Sequence, residues 1–447
     1  MNFISTNKTH FFQWQSYLLR VAIIFFLLQS LPVNAEIYKT IANISWSTFI
    51  SDVFNIVIYL PHVFGPVSGF ADWFLVLGIS LILAYVWYSK SIISDEKETK
   101  YFYFLRVAVR FRLASILFVA GFTKLFTLFA PELSLSHLNT GYGYFENWKQ
   151  LYLSLSAAPA YAIFLGIVEL FAAFLLLFRK TSLLGVLFII PFYGNVFLAD
   201  LAYEGSYFMV SAYAVLLTIP IFVYDIKKLG NLLIDLKLTS PVNWHFNWNS
   251  TALGKWRPVL KGAFVLFFVV LVGFKSYSLS QGESLYYPSE KGLEEVAGKY
   301  NVDLFILNSD TLEYSPFDKQ RWKDVVFEEW NTLSVRINDS IKTADPHSFL
   351  EGKSSDRDYE YTQVGDRLYY HYQIQNGNKE ISLQNPNPNY PNDQFTFYVE
   401  RPDSLHINLK GENSKGDKYT VALSKVDKKY LLYEIKNLGR RKLGYKL

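Results

Sequence analysis

Two ionisable side chains stand inside apolar stretches and are the first candidates for chemistry. Lys124 lies in the run FRLASILFVAGFTKLFTLFA, and Glu169 lies in APAYAIFLGIVELFAAFLLLF. A charge inside membrane hydrocarbon costs roughly 2.5 kcal/mol or more, so such residues are usually paired or handle ions, protons or ligands. Lys124 stands about two turns from the end of its run and can extend its ammonium to the nearer interface. Glu169 stands near the middle of its run and needs a cation or a proton.

The other polar residues in these runs leave two interpretations of Glu169 open. Arg106 and Lys124 are 18 residues apart, a whole number of helical turns, and so share one helix face. Arg112 points elsewhere but is a second cation available to Glu169. Either Glu169 forms a structural ion pair with Lys124 or Arg112, or it handles protons or a ligand directly. Later runs add two weaker polar candidates that also fit helix-end caps, Asn195 and Asp200.

The composition excludes several classes of site. The 447 residues include no cysteine, which removes thiolate nucleophiles and Cys-ligated zinc or iron–sulfur sites. The seven histidines show no HxxH or HExxH spacing, and we predict no metal site. Residues 1–278 carry 20 Lys and Arg with 13 Asp and Glu, against 23 and 26 in the remainder. This contrast indicates a membrane half and a polar half, and no basic patch predicts a nucleic-acid partner.

Seven apolar stretches approach the length of about 20 residues that a bilayer requires. We predict membrane-spanning helices over 16–34, 70–88, 104–130, 158–178, 182–199, 206–224 and 259–277. A shorter stretch, 50–64, contains Asp52 and Pro61 and predicts an interfacial or re-entrant helix. The first stretch also resembles a cleaved signal peptide, because small residues follow its apolar core before Glu36. That alternative stays open.

The basic residues between these stretches predict the orientation of the chain. With the N-terminus inside, sixteen Lys and Arg lie on the inner side and two, Lys39 and Lys149, lie on the outer side. Cytoplasmic loops of membrane proteins carry an excess of Lys and Arg. The bias therefore predicts a bacterial inner-membrane protein with a cytoplasmic N-terminus and a periplasmic C-terminal region.

Residues 283–447 consist of short alternating runs separated by turn residues. Runs such as QFTFYVE, LHINLKG, YTVALSKV and YLLYEI (residues 430–435) are typical of β-strands. Short consecutive strands with tight turns predict an antiparallel all-β domain, either a barrel or a sandwich. Gly298, Tyr300 and Val302 near its start resemble the first strand of lipocalin-like barrels.

The segment between the third and fourth predicted spans, residues 131–157, is rich in Tyr and Trp. Aromatic residues concentrate at membrane–water interfaces, so this segment fits an aromatic belt. The alternative is a lid over an outward-facing pocket, with His137 and Tyr142 as polar contacts.

The stretch from Arg112 to Lys124, with Gly121 three residues before the lysine, resembles the Arg…Gly-x-x-Lys signature of the DoxX family of bacterial membrane proteins. Gly166-x-x-Glu169 and the following helices resemble the next part of that pattern. More narrowly, the chain is similar to long DoxX-like proteins with additional N-terminal spans and a C-terminal strand-rich domain. The resemblance implies a four-helix membrane unit and a link to quinones and redox processes. It implies no defined reaction, because most members have none assigned.

Four regions follow from these patterns. They are N-terminal spans and an outer loop over 1–100, a DoxX-like four-helix unit over 101–230, an inner loop and last span over 231–282, and a periplasmic lipocalin-like β domain over 283–447. The predicted fold class is thus a membrane α-helical bundle of about seven spans joined to an antiparallel β-barrel or sandwich. The candidate binding residues are Lys124, Glu169, Arg112, Gly121, Gly166, Asn195 and His137.

Two classes of function remain in competition. The first is binding of a quinone-like or other lipidic molecule near Lys124 and Glu169, within the lipid bilayer. Because no redox centre is visible in the chain itself, such a protein would support electron transfer with a redox protein partner. The second is a non-enzymatic membrane scaffold or sensor whose β domain binds an apolar ligand or a protein partner.

Overall fold

The structure, a computed structural model, contains two compact units. It describes residues 10–90, 95–205, 207–236, 256–281, 287–288, 290–344, 357–377, 379–430 and 432–433. The helical unit comprises residues 1–126 and 163–278, and the barrel unit comprises residues 127–162 and 279–447. The segment between the third and fourth predicted spans therefore belongs with the β-strands.

The helices are numbered along the chain through both units. They are α1 (His10–Ser30), α2 (Ala35–Ala42), α3 (Phe49–Ile58), α4 (Phe70–Lys90), α5 (Asp95–Leu125), α6 (Leu135–Leu138), α7 (Asn147–Ala157), α8 (Pro159–Leu176), α9 (Ser182–Ala202), α10 (Phe208–Leu233) and α11 (Trp256–Gln281). A π-helical turn over Leu266–Leu271 lies inside α11.

The chain is a multipass membrane protein. Within the described residues, five helices are long and apolar enough to cross a membrane: α4, α8, α9, the first 19 residues of α10, and α11. α1 and α2 meet at a bend of 57° and add a sixth span if the pair crosses as one. The predicted span over 104–130 overlaps α5, which ends at Leu125, and the Arg and Lys residues of α5 keep it outside this apolar set. Five or six of the described helices therefore meet the requirements of length and composition, where the sequence predicted about seven spans including α5.

The short apolar stretch over 50–64 overlaps α3, which has ten residues and ends three positions before Pro61. Phe49, Ile50, Val53 and Phe54 are buried on this helix. Ten helical residues span about 15 Å, which is half the thickness of a bilayer core. This helix is therefore too short to cross alone.

α5 and α8 pack closely because two glycines face each other. A Cβ added to Gly166 would lie 2.6 Å from the backbone nitrogen of Leu125 and 2.7 Å from the carbonyl oxygen of Gly121. A Cβ added to Gly121 would lie 2.8 Å from Cγ of Leu170. Small residues let the backbones of membrane helices approach one another. The two glycines stand three residues before Lys124 and Glu169, so they set the distance at which those side chains meet.

The second unit is built on a closed antiparallel β-barrel of eight strands. Its strands are β1 (Gly298–Leu307), β3 (Asp324–Phe327), β4 (Thr332–Arg336), β5 (Arg367–Gln375), β6 (Glu380–Gln384), β7 (Gln394–Glu400), β8 (His406–Asn413) and β9 (Lys418–Lys425), with the two-residue β2 (Asp310–Thr311) paired to β1. β9 returns to pair with β1, from Tyr300 opposite Lys425 to Leu307 opposite Tyr419. The predicted all-β domain is confirmed, and it is a barrel rather than a sandwich.

Alternation along the strands fills the barrel with side chains. In β7 the residues alternate between exposed and buried from Gln394 to Glu400. The interior contains large buried residues that include Phe305, Trp322, Tyr370 and Phe397. The predicted strand over 430–435 is wrong where the structure describes it, because Leu432 and Tyr433 form a helical turn beyond β9.

Residues 127–162 are joined to the barrel through backbone hydrogen bonds. Phe145 forms an isolated antiparallel bridge with Val364. The Glu146 amide donates to the carbonyl of Gln363 at 3.1 Å, and the Gly365 amide donates to the carbonyl of Tyr144 at 2.9 Å. These contacts make the segment part of the barrel unit's own fold.

We expect Gly166→Ala to destabilise the helical unit. The added methyl meets backbone atoms that cannot move aside, so α5 and α8 must separate. Thermal unfolding of the full chain in detergent measures this effect. Gly78→Ala is the matched control: it lies in α4, and a Cβ there has no atom within 4 Å. The control should be neutral or stabilising, because Ala favours a helix by about 0.5–1 kcal/mol over Gly. Equal melting temperatures for the two variants would contradict the close approach.

Candidate functional site

Lys124 and Glu169 form an ion pair inside the helical unit. The Nζ of Lys124 lies 2.6 Å from Oε1 of Glu169. Lys124 is 9% exposed and Glu169 is 1% exposed. The last turn of α5 positions the lysine, and the middle of α8 positions the glutamate. The ion pair supplies the cation that the sequence analysis expected Glu169 to need.

Tyr193 of α9 is a third member of this cluster and was missed from the sequence. Its hydroxyl donates to the same Oε1 of Glu169 at 3.0 Å. Among the described residues, the other oxygen of Glu169, Oε2, is buried without a hydrogen-bond partner. Two donors therefore converge on one carboxylate oxygen and leave the second available. The residue carried no sequence signal, because a tyrosine in an apolar span is more often part of the packing than of a site.

A second carboxylate lies near the same ammonium. Asp200, in the last turn of α9, is buried and accepts a 3.0 Å hydrogen bond from the hydroxyl of Ser211 in α10. Lys124 and Asp200 are close enough to interact electrostatically. The lysine therefore faces Glu169 through a hydrogen bond and Asp200 through a longer-range attraction.

Two of the other predicted residues point away from this cluster. Arg112 donates from Nη2 to the carbonyl of Tyr59 at 3.2 Å, and its guanidinium lies 6.0 Å from the Tyr213 ring centre. The partner of Glu169 is thus Lys124 and not Arg112. Asn195 is exposed on α9. Gly121 and Gly166 act through helix packing.

The cluster is closed in this structure. The cleft beside Glu169 is lined by apolar side chains such as Leu117, Phe188 and Ile189, and it has no space for a water-sized molecule. A ligand can therefore reach the carboxylate only if the helices separate or if side chains rearrange.

The arrangement can hold and share a proton. An ammonium, a carboxylate and a phenol lie in one hydrogen-bonded row, and each can exchange a proton with its neighbour. Such a row can donate to, or accept from, an oxygen atom of a bound molecule. Within the described residues there is no group of three or more His, Asp or Glu side chains that could hold a metal ion.

His137 belongs to the barrel unit and not to this cluster. It is buried, and its Nε2 lies 3.1 Å from the carbonyl oxygen of Glu360. Burial, with help from the nearby Lys149, lowers the pKa of His137 to about 3. The imidazole is therefore neutral at physiological pH. Its predicted role as a polar contact of a lid is replaced by a structural role between residues 127–162 and the barrel.

Lys149 is completely buried next to this histidine. It donates from Nζ to the carbonyl oxygen of Tyr359, and Nζ lies 3.5 Å from the centre of that residue's ring. Burial lowers the pKa of Lys149 to about 7, although the charges of Asp358 and Glu360 oppose this shift. The sequence suggested only an outer-loop cation at this position.

Two buried glutamates complete the polar contact between the segment and the barrel. Glu328 accepts from the amides of Leu135 and Ser136 at 3.0 and 2.7 Å, and burial raises its pKa to about 7 against these hydrogen bonds. Burial would also raise the pKa of Glu360. The hydrogen bond from His371 and the charges of His371 and Arg357 outweigh burial there and lower the pKa to about 2.

We expect the Lys124–Glu169 pair to show strong coupling in a double-mutant cycle. Lys124→Met or Glu169→Leu alone leaves a buried charge without its partner, which costs about 3–5 kcal/mol. The double variant replaces both charges with apolar groups and should lose much less stability than the sum of the single variants. Melting temperatures of the full chain in detergent provide the measurement. Additive losses would show that the two side chains do not interact.

We expect His137→Asn to reduce the acid sensitivity of the barrel unit. The folded-state pKa of His137 is about 3 and the ordinary value is 6.5, so acid protonates the unfolded state first. The stability of the wild-type barrel therefore falls as the pH drops from 6.5 towards 3. Asparagine cannot take up that proton. Near-ultraviolet circular dichroism melts at pH 7.5 and 4.5 measure the difference.

The exposed His406 in β8 supplies the control for this comparison. His406→Asn removes an imidazole from the surface. The difference in melting temperature between pH 7.5 and pH 4.5 should be larger for His406→Asn than for His137→Asn. The same pH response in wild type and His137→Asn would contradict the assignment.

Comparisons with known proteins supply no family for this chain. No protein-family model matches it, and no curated protein matches it significantly. Two solved structures are similar in part. One is a redesigned β-barrel, with 12% identity over 31% of this chain and 98% of that chain and a TM-score of 0.19. The other is a complex of bovine odorant binding protein with a selenium-containing odorant, with 14% identity over 36% of this chain and 91% of that chain and a TM-score of 0.19. Neither likeness is strong enough to support a functional argument.

Proposed function

We propose that this chain is a DoxX-like protein of the bacterial inner membrane that binds a quinone-like or other lipidic molecule next to Lys124 and Glu169. The N-terminus lies in the cytoplasm and the β-barrel lies in the periplasm. The protein supports a membrane redox process together with a redox protein partner. The excess of sixteen to two basic residues on the inner side supports this orientation.

The observation that carries the proposal is the buried polar row of Lys124, Glu169 and Tyr193. Intramembrane ionisable residues are expensive and usually serve a function. The row combines a proton donor and a carboxylate oxygen, Oε2, that is buried without a hydrogen-bond partner among the described residues. A quinone-like molecule presents oxygen atoms that alternate between carbonyl and hydroxyl, which matches such a row. Because the cleft is closed, entry of the molecule requires the helices to move.

The second class of function is a scaffold or sensor that acts through the barrel. The interior of the barrel is packed with aromatic and aliphatic side chains, which disfavours an apolar ligand inside it. Within this alternative, the packed interior favours a protein partner that binds the outer surface of the barrel.

The test measures quinone that travels with the purified full chain. Wild type, Lys124→Ala and Glu169→Gln are extracted from membranes in detergent, and bound quinone per protein is quantified by mass spectrometry. Losing a hydrogen bond to a charged group costs about 1.5–3 kcal/mol, so each variant should retain roughly a tenth of the wild-type quinone or less.

Lys90→Gln is the matched control, since it removes an exposed lysine at the end of α4. It should retain wild-type quinone. If wild type carries no quinone or other lipidic molecule, or if all four proteins carry the same amount, the ion pair is purely structural and the scaffold function is favoured.

A further inference from the structure

A large cavity lies at one end of the helical unit, away from the ion pair. Its volume is about 510 Å³, within the range of roughly 300–1,000 Å³ that is typical of ligand pockets. It forms where α5, α10 and α11 meet the turn between α8 and α9. The first half of α5 contributes Arg106 and Arg110, and α11 contributes Arg257 and Lys261.

The lining of this cavity is strongly positive. Five cations line it: Arg106, Arg110, Arg179, Arg257 and Lys261. Arg110 interacts electrostatically with three of the others, which places their charges close together. Among the described lining residues there is no Asp or Glu. The neighbouring Asp225 lies 3.9 Å from Arg106.

Two of the arginines have buried donors that no described residue satisfies. The Nε atoms of Arg106 and Arg110 are buried without a hydrogen-bond partner. The Arg106 guanidinium carbon lies 3.5 Å from the ring centre of Tyr224, which fixes its plane. A buried donor without an acceptor costs free energy, so these positions favour a bound molecule that supplies oxygen atoms.

The remaining walls are apolar. Val107, Phe111, Leu177, Ile221, Leu260 and Phe264 line the cavity beside the cations. Lys261 lies with its Nζ 4.2 Å from the ring centre of Phe178. One site therefore offers both a cationic region and a hydrocarbon surface, which suits a molecule with an anionic head and an apolar chain.

The positive-inside tendency does not account for this arrangement. Basic residues that set orientation need only lie in the loops, and they extend into water and lipid head groups independently of each other. Here cations from α5, α11 and the α8–α9 turn face a single volume. Like charges that face one volume repel each other, and an anion bound among them reduces that repulsion.

The geometry points to a binding site for an anionic phospholipid in this cavity. The phosphate accepts hydrogen bonds from the Arg106 and Arg110 guanidinium groups, because guanidinium geometry matches phosphate oxygens. Arg179, Arg257 and Lys261 add charge around the head group. An acyl chain lies along Phe111, Ile221 and Phe264. This site is independent of the quinone proposal, because it uses none of the residues of the Lys124–Glu169 cluster.

The test measures how lipids stabilise the purified full chain in a neutral detergent. Phosphatidylglycerol should raise the melting temperature of the wild type by about 3 °C or more over phosphatidylcholine at the same mole fraction. Arg110→Gln and Lys261→Gln should each lose at least about half of that shift. Each variant is compared with its own lipid-free melting temperature, so a variant that is less stable from the outset still gives a readable shift.

Lys100→Gln is the matched control for charge. Lys100 is on α5, pairs with Glu96 at 2.6 Å on the surface, and does not line the cavity. It should keep the full shift. Native mass spectrometry should also count fewer retained phosphatidylglycerol molecules on Arg110→Gln than on Lys100→Gln.

Three results would overturn the proposal. They are equal shifts with both lipids in the wild type, a loss in Lys100→Gln as large as in Arg110→Gln, and a full shift from inorganic phosphate alone. The last result would assign the site to a free anion and not to a lipid.

Discussion

The burial of the Glu169 carboxylate among apolar helices is the constraint around which the helical unit is organised. A carboxylate that is 1% exposed cannot reach water or head groups, so its partners must come from neighbouring helices. Lys124 and Tyr193 supply them from α5 and α9. Glycines one turn earlier on α5 and α8 bring the two backbones close enough for that contact. Helix packing and charge neutralisation therefore depend on each other at this point.

Buried ionisable groups in the barrel unit also have polar partners, and several of these partners are backbone groups. The strands of this unit form a closed sheet, and the inward-facing apolar and aromatic side chains pack against each other inside it. The buried ionisable groups lie elsewhere, where residues 127–162 meet the barrel. Glu328 is held there by two backbone amides, and Lys149 by a backbone carbonyl. Hydrogen bonds are directional, whereas apolar packing is not. These contacts therefore specify one position for residues 127–162 on the barrel.

Single-sequence patterns predicted those features that depend on local periodicity or on membrane energetics. The alternation in β7 and the low charge of α8 and α9 indicated the correct type of element. The pairing of Lys124 with Glu169 could be predicted as one alternative, because a carboxylate inside hydrocarbon has few possible partners. The role of Tyr193 could not be predicted, because residue spacing within one helix does not show which neighbouring helix a given face contacts. The predicted role of His137 in a lid does not match its buried position for a related reason: the composition of residues 131–157 does not show whether that segment covers a pocket or packs on strands.

The two charged regions of α5 differ in a way that bears on function. At its C-terminal end Lys124 is neutralised by Glu169, and the cleft beside them is closed. Towards its N-terminal end Arg106 and Arg110 line a cavity of about 510 Å³, and Asp225 lies 3.9 Å from Arg106. At the first region the cation has a carboxylate within hydrogen-bond distance, whereas at the second several cations line one cavity. The two regions therefore differ in how much space and how much balancing charge the protein places beside its cations.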